Sequence, residues 1–426
     1  MRRITKAGAA AAGVALLLTA CSSGDNATDS TSSAPASSAP AASGTLLIWA
    51  DASANVAKTV EPLCKSWATD NGVTCTVKKF NALGDIRDQV IKANKSGDVP
   101  DIFIGPHDWL GELTKNGVVA PIDLSANKAN FQPSAVAGAA YNGQNYGVPW
   151  AVENIALLTN KALSPTCPAT LDDAVSLGQS LVESKKATLG IALQIGDQGD
   201  AYHWYPLYSA SGGYIFGTNA DGSYNVQDLG VGQQGSIAAA EALQKMADEK
   251  VIKASVTYDI ARETFAKGKA PFFITGSWQI PEQSEALGDD LMVCPVPNWA
   301  NSEFKSQPFV GVQMFFQTQK APNPVLASTF LNDEVMTTDF MDAMFAGDPR
   351  PPAWVESYTK AAAADPNIAA FGEYGANGAP MPANPEMASV WSDLGLAEYK
   401  VASGADPTST MEAAGKSIQK AIAAQG

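Results

Sequence analysis

The sequence predicts an α/β protein: a leader, a polar tether, and then enough chain for two lobes with cores of their own. Three observations carry this. Short continuous apolar runs, TLLIWA at 45–50 and DIFI at 101–104, suit strands buried on both faces. Apolar residues recur at helical spacing between them. About 380 residues follow the tether, more than one small core requires.

The first residues read as a secretory signal. Arg2, Arg3 and Lys6 precede an apolar run that ends Leu18-Thr19-Ala20-Cys21. The run is too short and wrongly flanked for a permanent transmembrane helix. Its ending resembles a bacterial lipobox, in which cleavage precedes a cysteine that then carries lipid. That resemblance makes 1–21 the signal with its lipobox cysteine and Cys21 the lipidated residue. Acyl chains would hold the protein at a membrane surface without spanning it; plain cleavage without an anchor is the alternative. Residues 22–43 are mostly Ser, Ala, Pro and Thr, which bury too little surface to offset ordering entropy, so they read as a flexible tether.

After strand 45–50, Val56, Val60, Leu63 and Trp67 mark a helix, which Pro62 is expected to kink or restart. Val73, Cys75 and Val77 alternate as in a strand. Ile86, Val90 and Ala93 mark a second helix, and 101–104 a third strand. Strand, helix, strand, helix, strand implies a parallel sheet with crossover helices. Ligands bind such sheets beyond the carboxyl ends of the strands. Asp51 to Ser53 and Gly105 to Trp109 occupy that position. Further on, 147–160 reads as a strand passing through a connector. Thr170 to Asp173 forms a capping box that starts a helix. Strands are expected at 189–194, 270–276, 291–297 and 308–317, and mostly helix from about 319.

The formal charge is −15, and loss of Arg2, Arg3 and Lys6 makes it three units more negative. Such an acidic chain is a poor partner for nucleic acid. Of the five cysteines, four remain beside Cys21 in a compartment that permits pairing. A helix–strand hairpin brings Cys64 near Cys75, so the expected bridges are Cys64–Cys75 and Cys167–Cys294; free buried thiols are the alternative.

Chemistry-bearing motifs are few. Gly230 to Gly235 matches a dinucleotide fingerprint, but the polar stretch before it is a poor central strand, so a loop ahead of a helix is the better reading. The two histidines, His107 and His203, rule out a multi-histidine metal site. His107 beside Asp108 raises a catalytic pair as one option; the other is a loop residue that helps start a helix. Asp51, Asp108, Glu153 and Asp200 fall in loops or at strand ends. Two of them could serve a glycosidase as acid and nucleophile. Ionised carboxylates equally accept paired hydrogen bonds from sugar hydroxyls. Among the nine tryptophans, Trp49 and Trp67 fit core positions. Trp278 ends a strand and Trp391 follows a Pro-rich loop, and such rings can pack against a pyranose face.

Together the segments LLIWA, VPDIFIGPHDWLG, YNGQNYGVPWAVENIALLTNKAL, YPLYSASGGYIF, FAKGKAPFFITGSW, QPFVGV and MPANPEMASVW resemble one family over about residues 45–425. These are the periplasmic-type solute-binding proteins of ABC sugar uptake, specifically the maltose/maltodextrin-binding proteins. The resemblance implies a two-lobe fold, each lobe a mostly parallel sheet flanked by helices, with a ligand cleft between them. The first lobe would be 44–151 plus 305–362, and the second 152–304 plus 363–426. It implies a monomeric, lipid-anchored receptor on the outer face of the bacterial cell membrane. Lobe closure would deliver a maltose-type oligosaccharide to ABC importer permease subunits, with no catalysis, cofactor or metal. The competing readings are an exported glycoside hydrolase using Asp108 and Glu153, and a receptor for trehalose or a non-sugar solute.

The resemblance also implies a ligand set. Asp108 and Glu153 match hydroxyl-binding carboxylates. Tyr202, Tyr258, Trp278 and Trp391 match aromatic subsite residues. Asp200 stands for a family glutamate, Asp51 for an asparagine-type contact and Ser53 for an aspartate. Trp109 occupies the position of a hydroxyl-binding arginine, Gly105 a tryptophan position, Ala54 a lysine position and Gly395 an arginine position. These departures imply that different hydroxyls are read, with Trp109 supplying the stacking face that Gly105 lacks.

Overall fold

The computed structural model describes residues 44–52, 55–220 and 222–424. The signal, Cys21, the tether, Ser53 and Ala54 lie outside the described residues. Nine strands share one sheet: β1 Thr45–Asp51, β2 Thr74–Phe80, β3 Ile102–Pro106, β4 Val148–Asn160, β5 Ile191–Ala192, β6 Phe272–Gly276, β7 Leu291–Cys294, β8 Phe309–Gln317 and β9 Ala379–Pro380. The order is β2-β1-β3-β8-β4-β6-β5, with β7 also paired to β4 and β9 to β8.

The parallel start follows from the crossovers. β1 pairs in parallel with β2, Thr45 opposite Thr74, and with β3, Ile48 opposite Ile102. The helices between them, Val56–Asp70 and Leu83–Ser96, bury Val60, Trp67, Ile86 and Val90 on the sheet side. The expectation of mostly parallel sheets needs correction. β8 runs antiparallel to both β3 and β4, and β4 runs antiparallel to β6 and β7. These strands are long apolar runs, and apolarity signals burial without direction. The sheet is therefore mixed. The 189–194 run also yields only the two-residue β5, and 291–297 ends as a strand at Cys294.

Pro62 does not break its helix, which runs continuously from Val56 to Asp70. Pro62 and Lys58 both lie on the exposed side, where water can take the carbonyl that proline leaves without a partner. The capping box is formed as its sequence requires: the Thr170 hydroxyl accepts from the Asp173 N–H, and the Asp173 carboxylate accepts from the Thr170 N–H. Cys64 is bridged to Cys75 and Cys167 to Cys294, with Cα atoms 6.0 and 5.6 Å apart. Gly230 to Gly235 follows the outer hairpin strand Tyr224–Leu229 and leads into the helix Gln234–Asp248.

The buried apolar residues fall into three clusters. One gathers residues from 46 to 151 with others from 312 to 354. The second runs from Ile155 to Phe309 and resumes from Met381 to Ile418. The third joins strands β4, β6 and β7 to Ala361, Ile368 and Phe371. β4 connects them: residues 148–154 pair with β8, and residues 155–160 pair with β6 and β7.

Candidate functional site

Two strand ends are built alike. β3 is buried throughout, then turns through the 3-10 segment His107–Trp109 into helix Leu110–Lys115. β6 is buried throughout, then turns through Ser277–Gln279 into helix Ile280–Leu287. Each turn folds an indole back over a glycine. A Cβ on Gly105 would lie 2.2 Å from Trp109 Cζ3, and one on Gly276 would lie 2.0 Å from Trp278 Cζ3. Only glycine permits that approach.

The histidine of the first turn is structural. The Val312 N–H donates to His107 Nδ1 at 3.1 Å, so the ring proton sits on Nε2 and is donated to the Met381 carbonyl at 3.1 Å. Burial pushes the imidazole pKa down to about 4, which keeps it neutral. The next residue, Asp108, turns the other way, into a cavity of about 500 Å³.

That cavity collects most of the ligand residues expected from the sequence. Asp51 at the end of β1, Asp108, Trp109 and Glu153 line it. So do Tyr202, Trp278, Trp391 and, at the more exposed edge, Tyr258. The Tyr202 ring stands 6.4 Å from both Trp278 and Trp391, which makes one aromatic wall. Asp200 needs correction. It does not line the cavity, because it caps helix Ala201–Ala210 and its carboxylate accepts from His203 and Gln194. Those two residues line the cavity in its place, together with Gln313, Met381 and Arg350.

Arg350 is the residue that sequence reasoning missed most. Its Nη1 donates to Glu153 at 2.7 Å and its Nε to Asp348 at 3.1 Å, all three being buried. The two carboxylates raise its pKa against the opposing effect of burial. Gln313, at a register shift between Gln313 and Met314 in β8, donates to the other Glu153 oxygen at 2.8 Å. Glu153 thus accepts from a separate donor on each oxygen. The only sequence signal for Arg350 was a lone cation between two prolines, Asp348-Pro349-Arg350-Pro351.

Asp108 is less balanced. Burial pushes its carboxyl up to about 7, while Arg87 and the Trp391 indole pull it down and Glu153 opposes them. Its Oδ1 is buried without a hydrogen-bond partner, as are Gln194 Oε1, Tyr202 Oη and His203 Nε2. Such atoms suit a ligand with many hydroxyls, while the aromatic rings suit its C–H faces. Among the described residues there is no cluster of acidic, Cys or His side chains suited to a metal ion, and no helix long and apolar enough to cross a membrane.

A mixed α/β sheet that carries such a cavity at its strand ends suits a protein that holds a small polar solute. The sequence comparisons specify which kind. Residues 63–370 match the model of the bacterial extracellular solute-binding protein family, and the chain belongs to that family. It is 26% identical to a maltooligosaccharide ABC transporter solute-binding lipoprotein of Streptococcus pneumoniae, over 88% of this chain and 86% of the relative. A galactooligosaccharide-binding protein of Bacillus subtilis is 26% identical over 83% and 87%. A maltodextrin-binding protein of the same organism is 26% identical over 94% and 93%. The family and these relatives are solute receptors rather than enzymes, so the glycoside hydrolase reading falls away.

Proposed function

We propose that the protein is a monomeric, lipid-anchored receptor that captures an oligosaccharide outside the cytoplasm and hands it to the permease of an ABC importer. One observation carries the reading. Three indoles and two tyrosines surround a cavity whose lining residues carry buried, unpartnered acceptors, Asp108 Oδ1 among them. Cys21 would carry the anchor, as the relative named a lipoprotein suggests.

In this reading the clusters are two lobes. The first is 44–151 with about 312–354; the second is about 155–309 with 361–424, taking the third cluster with the second because both are built on residues 155–160 of β4, with Phe309 in the second cluster and Ala361 in the third. The cavity draws on residues of both, so a sugar held there would favour the closed arrangement to the extent that it binds that arrangement better. Malto-oligosaccharides are the favoured ligands, with Tyr258 at the rim; Ser53, outside the described residues, is kept as a contact on the resemblance alone. Calorimetric titration with maltose, maltotriose, trehalose and galactobiose tests this. Binding of one saccharide per chain is expected, and failure of all four would overturn the sugar reading.

A further inference from the structure

Behind the cavity wall, Asp200 governs two residues in front of it. One oxygen of its carboxylate accepts from His203 Nδ1 at 2.9 Å, and the other accepts from the Gln194 amide nitrogen. An ionised carboxylate offers no donor, so both partners must turn a donor toward it. A neutral imidazole that donates through Nδ1 has an acceptor at Nε2. An amide that donates through nitrogen presents its oxygen at the other end. Those two far ends, His203 Nε2 and Gln194 Oε1, are buried without a partner on residues that line the cavity. His203 itself is only 6% exposed.

The carboxylate is kept in its accepting form by its surroundings. Burial opposes ionisation, while hydrogen bonds from the His203 ring and backbone N–H and from Gln194 favour the charged form. Its buried neighbour Glu398 is pushed well above the carboxylate range by burial and by the Asp200 charge. The Asp200 N–H donates to Glu398, which ties helix Ala388–Ala402 to the same cluster.

We infer that Asp200 is a positioning residue that fixes the hydrogen-bonding polarity of this wall, and that His203 is a specificity-determining residue that accepts a ligand hydroxyl at Nε2. The hydroxyl part rests on the saccharide reading above; the polarity does not. With Gln194 Oε1 alongside, the wall accepts a sugar face that carries free hydroxyl donors. It rejects one that presents ether or carbonyl oxygens there, because acceptors would then face acceptors.

The chain offers an internal control, because its two histidines should be opposite tautomers. His107 carries its proton on Nε2 and His203 on Nδ1. Nitrogen-15 NMR of the imidazoles at about pH 8, above the ordinary histidine range, reads both, with His203→Phe assigning the signals. One ring of each tautomer is expected, and an Nε2–H tautomer at His203 overturns the inference. Asp200→Asn should reverse or mix the His203 tautomer without touching His107; an unchanged His203 removes Asp200 from the role. Maltotriose is the probe for the hydroxyl. Its binding should shift His203 Nε2 and not His107, and His203→Phe should weaken it roughly tenfold. Tight binding that leaves His203 Nε2 unmoved overturns the specificity role. Absence of any maltotriose binding overturns the malto-oligosaccharide reading and the hydroxyl role with it, while the tautomers still judge the polarity.

Discussion

Asp108 stands at the end of an apolar strand with its carboxyl raised to about 7 by burial, against the pull of Arg87 and Trp391. A hydroxyl that donates to it favours the charged form. Binding should therefore strengthen as pH rises from about 5 to about 8, with protons released on binding in between. Stability of the free protein has the opposite slope: the contribution of a raised carboxyl is present at low pH and is lost as pH rises through about 7. Calorimetry in two buffers of different ionisation enthalpy checks the proton release, and Asp108→Asn should flatten the profile. A pH-independent affinity in the unsubstituted protein would remove Asp108 from the ligand. Gly105→Ala tests the neighbouring indole. Its Cβ would collide with Trp109, so the ring must swing, at about 1–3 kcal/mol in thermal unfolding and with weaker ligand binding. That Asp108 and the indoles of Trp109, Trp278 and Trp391 line one cavity was partly legible, from their places at strand ends and after a Pro-rich loop. The presence of His203 and Gln194 in that lining was not, because it depends on Asp200 turning away to cap helix Ala201–Ala210.

At the scale of elements, strand identity was largely legible and strand direction was not. Continuous apolar runs marked β1, β3, β4, β6 and β8, yet nothing in them distinguishes a parallel from an antiparallel neighbour. Arg350 was illegible for a related reason. Its partner Glu153 is 197 residues away, and only packing of the Pro-flanked segment against β4 brings them together. Removing the cation would leave Glu153 and Asp348 buried without it. Arg350→Met should therefore cost about 3–5 kcal/mol in urea unfolding at neutral pH. An unchanged midpoint would show that water reaches the pair. The bridge Cys64–Cys75 joins helix Val56–Asp70 to β2 with a sequence separation of 11. Cys64→Ala with Cys75→Ala should lower unfolding stability by about 2–3 kcal/mol, read by denaturant titration beside the unsubstituted protein.

Over the whole molecule, the acidic balance spoke only against nucleic acid, while the resemblance pointed to a solute receptor, and the family match agrees with it. What composition could not give is the arrangement of the wall, where Trp109 lies over Gly105; in sequence, Ala54, Trp109 and Gly395 stand where the resemblance implies cationic donors. Arg350 does not restore them, since its charge is already shared between Glu153 and Asp348. The proposed receptor role requires that this cavity hold a saccharide without cleaving it. The most direct measurement is calorimetric titration of the tightest-binding saccharide into the unsubstituted protein and into Trp109→Ala and Trp391→Ala, with reducing ends assayed afterwards. One-to-one binding, no new reducing ends, and roughly tenfold weaker binding in each variant are expected. Undiminished affinity in both variants, or release of reducing ends, would contradict that role.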